Sequence, residues 1–199
     1  MYELGARGVD GRVPPGTNVL VVGPPLTGKR RIARSIVDRG IEDGEAGVVL
    51  STRDSAQQVR ATYADGPGPL GVVDCVTSHI GGSADDTETV KYLSGPTDVR
   101  GIEQALSELL DHFYRDHGID RTRIVVDSVT TLLLYSNLRR TYEIESSITS
   151  RVECIGGVGV HVAESTAHDE ETLSTLRGLF DGVIETAVDG GVEASLPTE

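Results

Sequence analysis

One short stretch, GPPLTGKR from Gly23 to Arg30, has the residue types and spacing to hold phosphate. Gly23, Gly28 and Lys29 fit the phosphate-loop pattern G-x-x-x-x-G-K-[S/T]. In such a loop, backbone N–H groups and a helix N-terminus face the β-phosphate, and the lysine ammonium reaches the β- and γ-phosphates. The flanks agree, because NVLVV before the loop reads as a buried strand and RRIARSIV after it as a helix. Gly23, Pro24, Pro25, Leu26, Thr27, Gly28, Lys29 and Arg30 are therefore the candidate nucleotide-binding residues. Only Lys29 and Lys91 are lysines in a chain that otherwise uses arginine. A compact, mobile ammonium suits the inside of a phosphate cradle better than a planar fork.

Arg30 departs from the pattern. A Ser or Thr hydroxyl normally stands there and ligates Mg²⁺. A guanidinium has no acceptor and is itself positive, so it cannot replace that ligand. Thr27 has a hydroxyl at the wrong place in the loop. Leu26 stands where small residues are usual, and a bulky side chain strains a turn that needs positive φ. The competing reading is an ordinary strand–turn–helix junction that binds nothing. A phosphate-loop sheet also places an acid at the end of a neighbouring strand, on the Mg²⁺ side of the site. Asp127, ending TRIVVD, is the candidate metal-side acid; with Ser128 it also reads as a helix N-cap. Participation of Mg²⁺ stays open.

These residues need elements to position them. Apolar, β-branched runs at 18–22, 47–51, 71–76, 123–126, 158–163 and 182–187 read as strands. Helical patterns cover 28–38, 55–64, 98–117, 142–154 and 171–180. Ile102, Ala105, Leu106, Leu109, Leu110 and Phe113 form one apolar stripe, which is core. The alternation predicts an α/β fold, a mostly parallel sheet with helices on both faces. The 199 residues suit one domain, with its core at about 16–188 and a tail from 189 expected to fray. Residues 64–71 and 78–98 read as surface loops; the second is a candidate lid or partner-binding loop, with a solvated excursion as the default.

The net charge is −13, with 31 acidic residues against 18 basic. Such a surface repels a nucleic-acid backbone, so DNA is not an expected partner. No apolar run approaches the roughly 20 residues needed to span a bilayer, and no secretory signal is visible. Cys75 and Cys154 read as buried free thiols in a reducing cytoplasm. His161, Glu164, His168, Asp169 and Glu170 cluster in sequence, and a solvated loop accounts for them better than a metal site.

In order and spacing, GTNVLVVGPPLTGKRRIARSIV, GVVLSTRDSAQQV, RIVVDSVTTLLLY and GVGVHVAESTAHDE…FDGVIE resemble the RecA-superfamily ATPases. Within these the chain is similar to KaiC-like proteins, including short single-domain versions of halophilic archaea. The resemblance spans about residues 16–185, and the phosphate loop and VVDS are its specific parts. It implies a RecA-like P-loop core, ATP or ADP as ligand, and stacking into rings or filaments with nucleotide near subunit interfaces. It also implies a regulatory role, as in several members, exercised through a protein partner.

The resemblance marks a second departure. KaiC-like proteins usually carry S/T-F-E-E-S/T-P after the second strand, and its first carboxylate activates water. Here the matching residues are STRDSA, with Arg53 at the general-base position and Asp54 at the second carboxylate. A guanidinium accepts no proton. Asp54 is left as a candidate catalytic residue. So is Glu164, which matches a nucleotide-sensing strand end in relatives and reads equally as a solvated strand end. The stretch 181–199 contains no Lys or Arg, although relatives often send a cationic finger from that region. Together these losses imply nucleotide binding with weak or absent hydrolysis. A nucleotide-free interaction scaffold, and an active ATPase or recombination accessory using Asp54 and Asp127, are the alternatives.

Overall fold

The computed structural model describes residues 1–6, 8–9 and 11–198. Its main sheet is assembled from β3 (Thr17–Gly23), β4 (Ala46–Ser51), β5 (Leu70–Asp74), β6 (Val90–Tyr92), β7 (Thr122–Val126), β8 (Val158–Glu164), β9 (Gly182–Thr186) and β10 (Val192–Ser195), after a small hairpin of β1 (Tyr2–Glu3) and β2 (Arg12–Val13). The order is β10-β9-β3-β8-β7-β4-β5-β6. Every pairing is parallel except that of β10 with β9. The expected mostly parallel α/β sheet is therefore present.

Successive side chains of a strand point to opposite faces, and β3 shows the consequence. Val19 and Val21 pack on one side with Ile32, Ile36 and Val37 of α1 (Lys29–Glu42). Leu20 and Val22 pack on the other with α3 (Val99–His117) and α5 (Leu138–Ile155), through Leu106, Leu109, Ile144 and Ile148. Both faces are covered, which is why the strands read as unbroken apolar runs. Each such Leu, Ile or Val contributes about 1.5–3 kcal/mol when fully buried.

Several expectations are corrected. The tail does not fray from residue 189, because Val192–Ser195 forms β10 in register with Val183–Thr186. The 78–98 stretch is not loop throughout. Val90–Tyr92 pairs with β5, and Lys91 holds Glu108 of α3 at 2.7 Å; residues 79–88 are exposed. α4 (Val129–Tyr135) was not anticipated, and α5 begins before residue 142 because Asn137 caps it. α2 (Ala56–Arg60) is shorter than its pattern, and α6 (Glu170–Arg177) nearly matches 171–180. Cys75 is buried, but Cys154 is exposed.

At the amino ends of the strands, Arg123 of β7 is 1% exposed and ties distant segments together. Its guanidinium donates to Glu45 at 2.6 Å, to the Glu3 carbonyl at 2.8 Å and to the Ile36 carbonyl at 2.7 Å. Arg121 adds a bond to Glu45 at 2.7 Å and stacks on the Tyr2 ring at 3.8 Å. This lash fixes the β1–β2 hairpin and leaves the carboxyl ends of the strands to form the site.

Candidate functional site

The predicted loop lies where β3 ends and α1 begins. Gly23 closes β3 against β9, and a Cβ there would sit 2.1 Å from Thr186 Oγ1 and 2.4 Å from its carbonyl oxygen. Only glycine fits that approach. Leu26 has φ 62 and is the one non-glycine residue with positive φ among the described residues, as the sequence implied; its side chain is fully exposed. Gly28, at φ 89, is the N-cap of α1 and offers no side-chain cap. Ile32 N–H donates to the Gly28 carbonyl at 3.1 Å, whereas the N–H groups of Thr27, Gly28 and Lys29 have no acceptor among the described residues. The first turn of α1 contains no acidic residue. Unpaired donors at a helix N-terminus favour an anion.

Lys29 is 3% exposed, and its ammonium donates to the Pro24 carbonyl and, at 3.0 Å, to Glu164 at the end of β8. The β3–β8 register sets Gly23 beside Glu164, which brings that carboxylate to the loop. Thr27 Oγ1 donates to the Pro24 carbonyl at 2.8 Å and lies 2.6 Å from Thr186 Oγ1. Thr130 of α4 accepts from the Glu164 N–H at 2.9 Å, and His168 lies 3.0 Å from the same hydroxyl.

Arg30 turns towards the other acids. Its guanidinium bonds Asp54 and lies 3.9 Å from Asp127. Burial works against its charge, but the Asp54 bond and the Asp127 charge outweigh that and raise its pKa. Asp127, at the end of β7, accepts from Ser51 Oγ at 3.0 Å, Thr52 N–H at 2.9 Å and Thr52 Oγ1 at 2.7 Å. Burial raises the Asp127 pKa despite these bonds and Arg30. Ser128, next to Asp127, caps α4 by accepting from the Thr131 N–H, as expected of the cap. Arg53 is exposed with no ion pair among the described residues. Asp54 faces the site instead, because Ser51 Oγ bonds both its carbonyl and its N–H in the turn before α2.

Mg²⁺ does not fit this arrangement. A guanidinium stands between the two acids, Thr27 Oγ1 is engaged with Pro24 and Thr186, and residue 30 brings no oxygen. Among the described residues no group of three His, Cys, Asp or Glu could hold a metal ion. A nucleotide phosphate does fit, since the loop offers free N–H groups, positive φ and Lys29. Beside Thr27, a cavity of about 580 Å³ is lined by Arg31, Ile32, Ser35, Gly190 and Val192. That volume lies in the range of small-ligand pockets, roughly 300–1,000 Å³.

Sequence reasoning missed Thr186, Ser51, Thr52 and Thr130. Each is a hydroxyl at a strand end or a helix start, and no local spacing signals its contact. His161 was also misplaced. It is fully buried, 2.6 Å from Glu145 and packed against the tilted Phe180 ring at 4.8 Å, not part of a solvated loop.

A family model described as "Family of unknown function (DUF7504)" matches residues 16–186. The chain belongs to the DUF7504 family. This DUF7504 chain is 30% identical over 209 residues to a UPF0273 protein of Aeropyrum pernix, covering 98% of this chain and 77% of that one. Its fold is similar to that of the KaiC-like protein PH0186 of Pyrococcus horikoshii OT3, with TM-score 0.62, 16% identity, and coverage of 96% and 84% of the two chains. It is also similar to the uncharacterized protein PH0321 of Pyrococcus horikoshii, solved in complex with an unknown peptide. There the TM-score is 0.68, the identity 14%, and the coverage 92% and 84%. These two likenesses show the fold of the DUF7504 chain, which is α/β, KaiC-like and RecA-like.

Proposed function

We propose that the chain binds ATP or ADP at residues 23–30, hydrolyses it slowly or not at all, and acts as a regulator whose contact with a protein partner depends on occupancy. One observation carries the reading: a buried lysine at a helix N-terminus whose first N–H groups lack acceptors among the described residues. The cavity beside Thr27 supports it with room for a nucleoside next to the phosphate cradle. Slow turnover is supported by the pairing of every nearby carboxylate with a cation. Asp54 is bound to Arg30 and Glu164 to Lys29, so neither is a free general base. Arg30 supplies the neutralising charge that Mg²⁺ gives elsewhere, so binding is metal-independent.

Self-association into a ring or stack belongs to the same proposal, as does a cytoplasmic, high-salt setting. The latter is supported by the net charge of −13 and by the scarcity of lysine. Among the described residues no helix is long and apolar enough to cross a membrane.

The test is calorimetric titration with ATP and ADP in molar KCl, with Mg²⁺ and with EDTA, on wild type and Lys29→Ala. Binding that Lys29→Ala abolishes supports the reading. No binding by folded wild type defeats it and favours the scaffold. That second reading has its own observation, since Lys29–Glu164 and Thr27–Thr186 already fill the cradle from within.

A further inference from the structure

A second cavity of about 400 Å³ lies on the α1 face of the sheet, between α1 and α2. None of residues 23–29 lines it, but Arg30, Asp54 and Asp127 of the site described above do, and Arg31 lines both cavities, so it adjoins the phosphate loop. Val49 of β4, Val125 of β7 and Val162 of β8 form an apolar floor, with Ala33 and Val59 beside it. The walls are polar, with three arginines against two aspartates. Arg30, Arg31 and Arg34 of α1 face Asp54, Asp127 and Tyr63.

Both acids are already engaged in the wall, Asp54 by Arg30 and Asp127 by Ser51 and Thr52. Among the described residues Arg34 is held only by Asp38, at 3.1 Å, in a pair 43% exposed on the arginine side. Such a pair is worth about 1 kcal/mol or less and exchanges partners readily. Burial raises the Tyr63 pKa, with the charges of Asp127 and Asp38 adding to it, so the phenol stays a neutral hydrogen-bond donor. Three of the chain's 18 cationic residues thus gather over one apolar floor, in a protein of net charge −13.

We propose that this cavity binds a small organic carboxylate with an aliphatic or aromatic body. The apolar body covers the valine floor, and the carboxylate meets Arg31 and Arg34. A neutral alcohol of the same length gains the floor alone, and an ammonium of the same length meets three arginines and two acids that are already bonded. The cavity shares Arg30 with the nucleotide reading but not Lys29, so the two can be tested apart.

Methyl-resolved NMR of the full chain tests it, with hexanoate and phenylacetate as probes and hexanol and hexylamine as controls. Hexanoate is expected to shift the Val49, Val125 and Val162 methyls saturably while leaving Val48 and Val126, on the other face, in place. Hexanol and hexylamine should bind at least about fivefold more weakly, and Arg34→Gln should weaken hexanoate about three- to tenfold without affecting hexanol. Lys29→Ala should leave hexanoate binding unchanged, which separates failure here from failure of nucleotide binding. No saturable shift of those methyls up to about 20 mM carboxylate, or hexanol binding as tightly as hexanoate, overturns the proposal.

Discussion

The Arg30 guanidinium sits between two carboxylates, bonded to Asp54 and 3.9 Å from Asp127. An arginine at the metal-ligand position of a phosphate loop has thereby become a tethered cation. Wild-type affinity for ADP is expected to be the same in Mg²⁺ and in EDTA. Arg30→Ala should lose about tenfold in EDTA, near 1.4 kcal/mol, and Arg30→Thr should make binding Mg²⁺-dependent. Calorimetry reads all three; equal affinity of wild type and Arg30→Ala in EDTA rules out the tethered cation.

Glu164 competes with any incoming phosphate for Lys29. It is one-quarter exposed, and its bond at 3.0 Å must yield when an anion arrives. Glu164→Gln removes the competing charge and should raise nucleotide affinity about fivefold, the worth of a pair near 1 kcal/mol. A fall in affinity instead would mean that Glu164 helps to hold the nucleotide.

Asp127 gives a pH signature. Its carboxyl pKa is raised in the folded protein, chiefly by burial. The folded state then holds this proton more tightly than the unfolded chain. Its contribution is fully present below the ordinary carboxyl value of 3.8 and is lost as pH rises through the raised folded pKa. Asp127→Asn keeps an acceptor for Thr52 and removes the titration. The wild-type stability relative to Asp127→Asn should decline from acid to neutral pH in urea unfolding. A flat difference would show that the hydrogen bonds cancel the burial cost.

His161 and Glu145 form a fully buried pair at 2.6 Å, and Glu145 Oε1 has no partner among the described residues. Removing one member strands the other. Glu145→Ala should cost about 3–5 kcal/mol, while the joint change Glu145→Met with His161→Leu should cost less than either single change. Denaturant melts of the three variants decide it, and an additive double variant would show that the pair is not coupled.

The six long strands and the loop from Gly23 to Arg30 were legible because each rests on a local pattern: an apolar run, a glycine spacing, or positive φ at Leu26. α4 was not, because VTTLLLY is short and merges with the strand before it. β6 and β10 were not, because each is an edge strand defined by its pairing rather than by apolar content. That Asp54 rather than Arg53 faces the site was not legible for a related reason. A one-residue difference in where a turn points is set by the Ser51 bonds and not by residue type. Lys29–Glu164 joins residues 135 positions apart, and only the β3–β8 register reveals it.

The lash around Arg123 also orders events in time. Tyr2 and Glu3 are made well before their partners Arg121 and Arg123, which emerge more than a hundred residues later. Until β7 enters between β4 and β8, the hairpin has neither guanidinium to receive it. Contacts of such sequence separation form slowly, so the amino-terminal hairpin docks late and reports by its arrival that the middle of the sheet is complete.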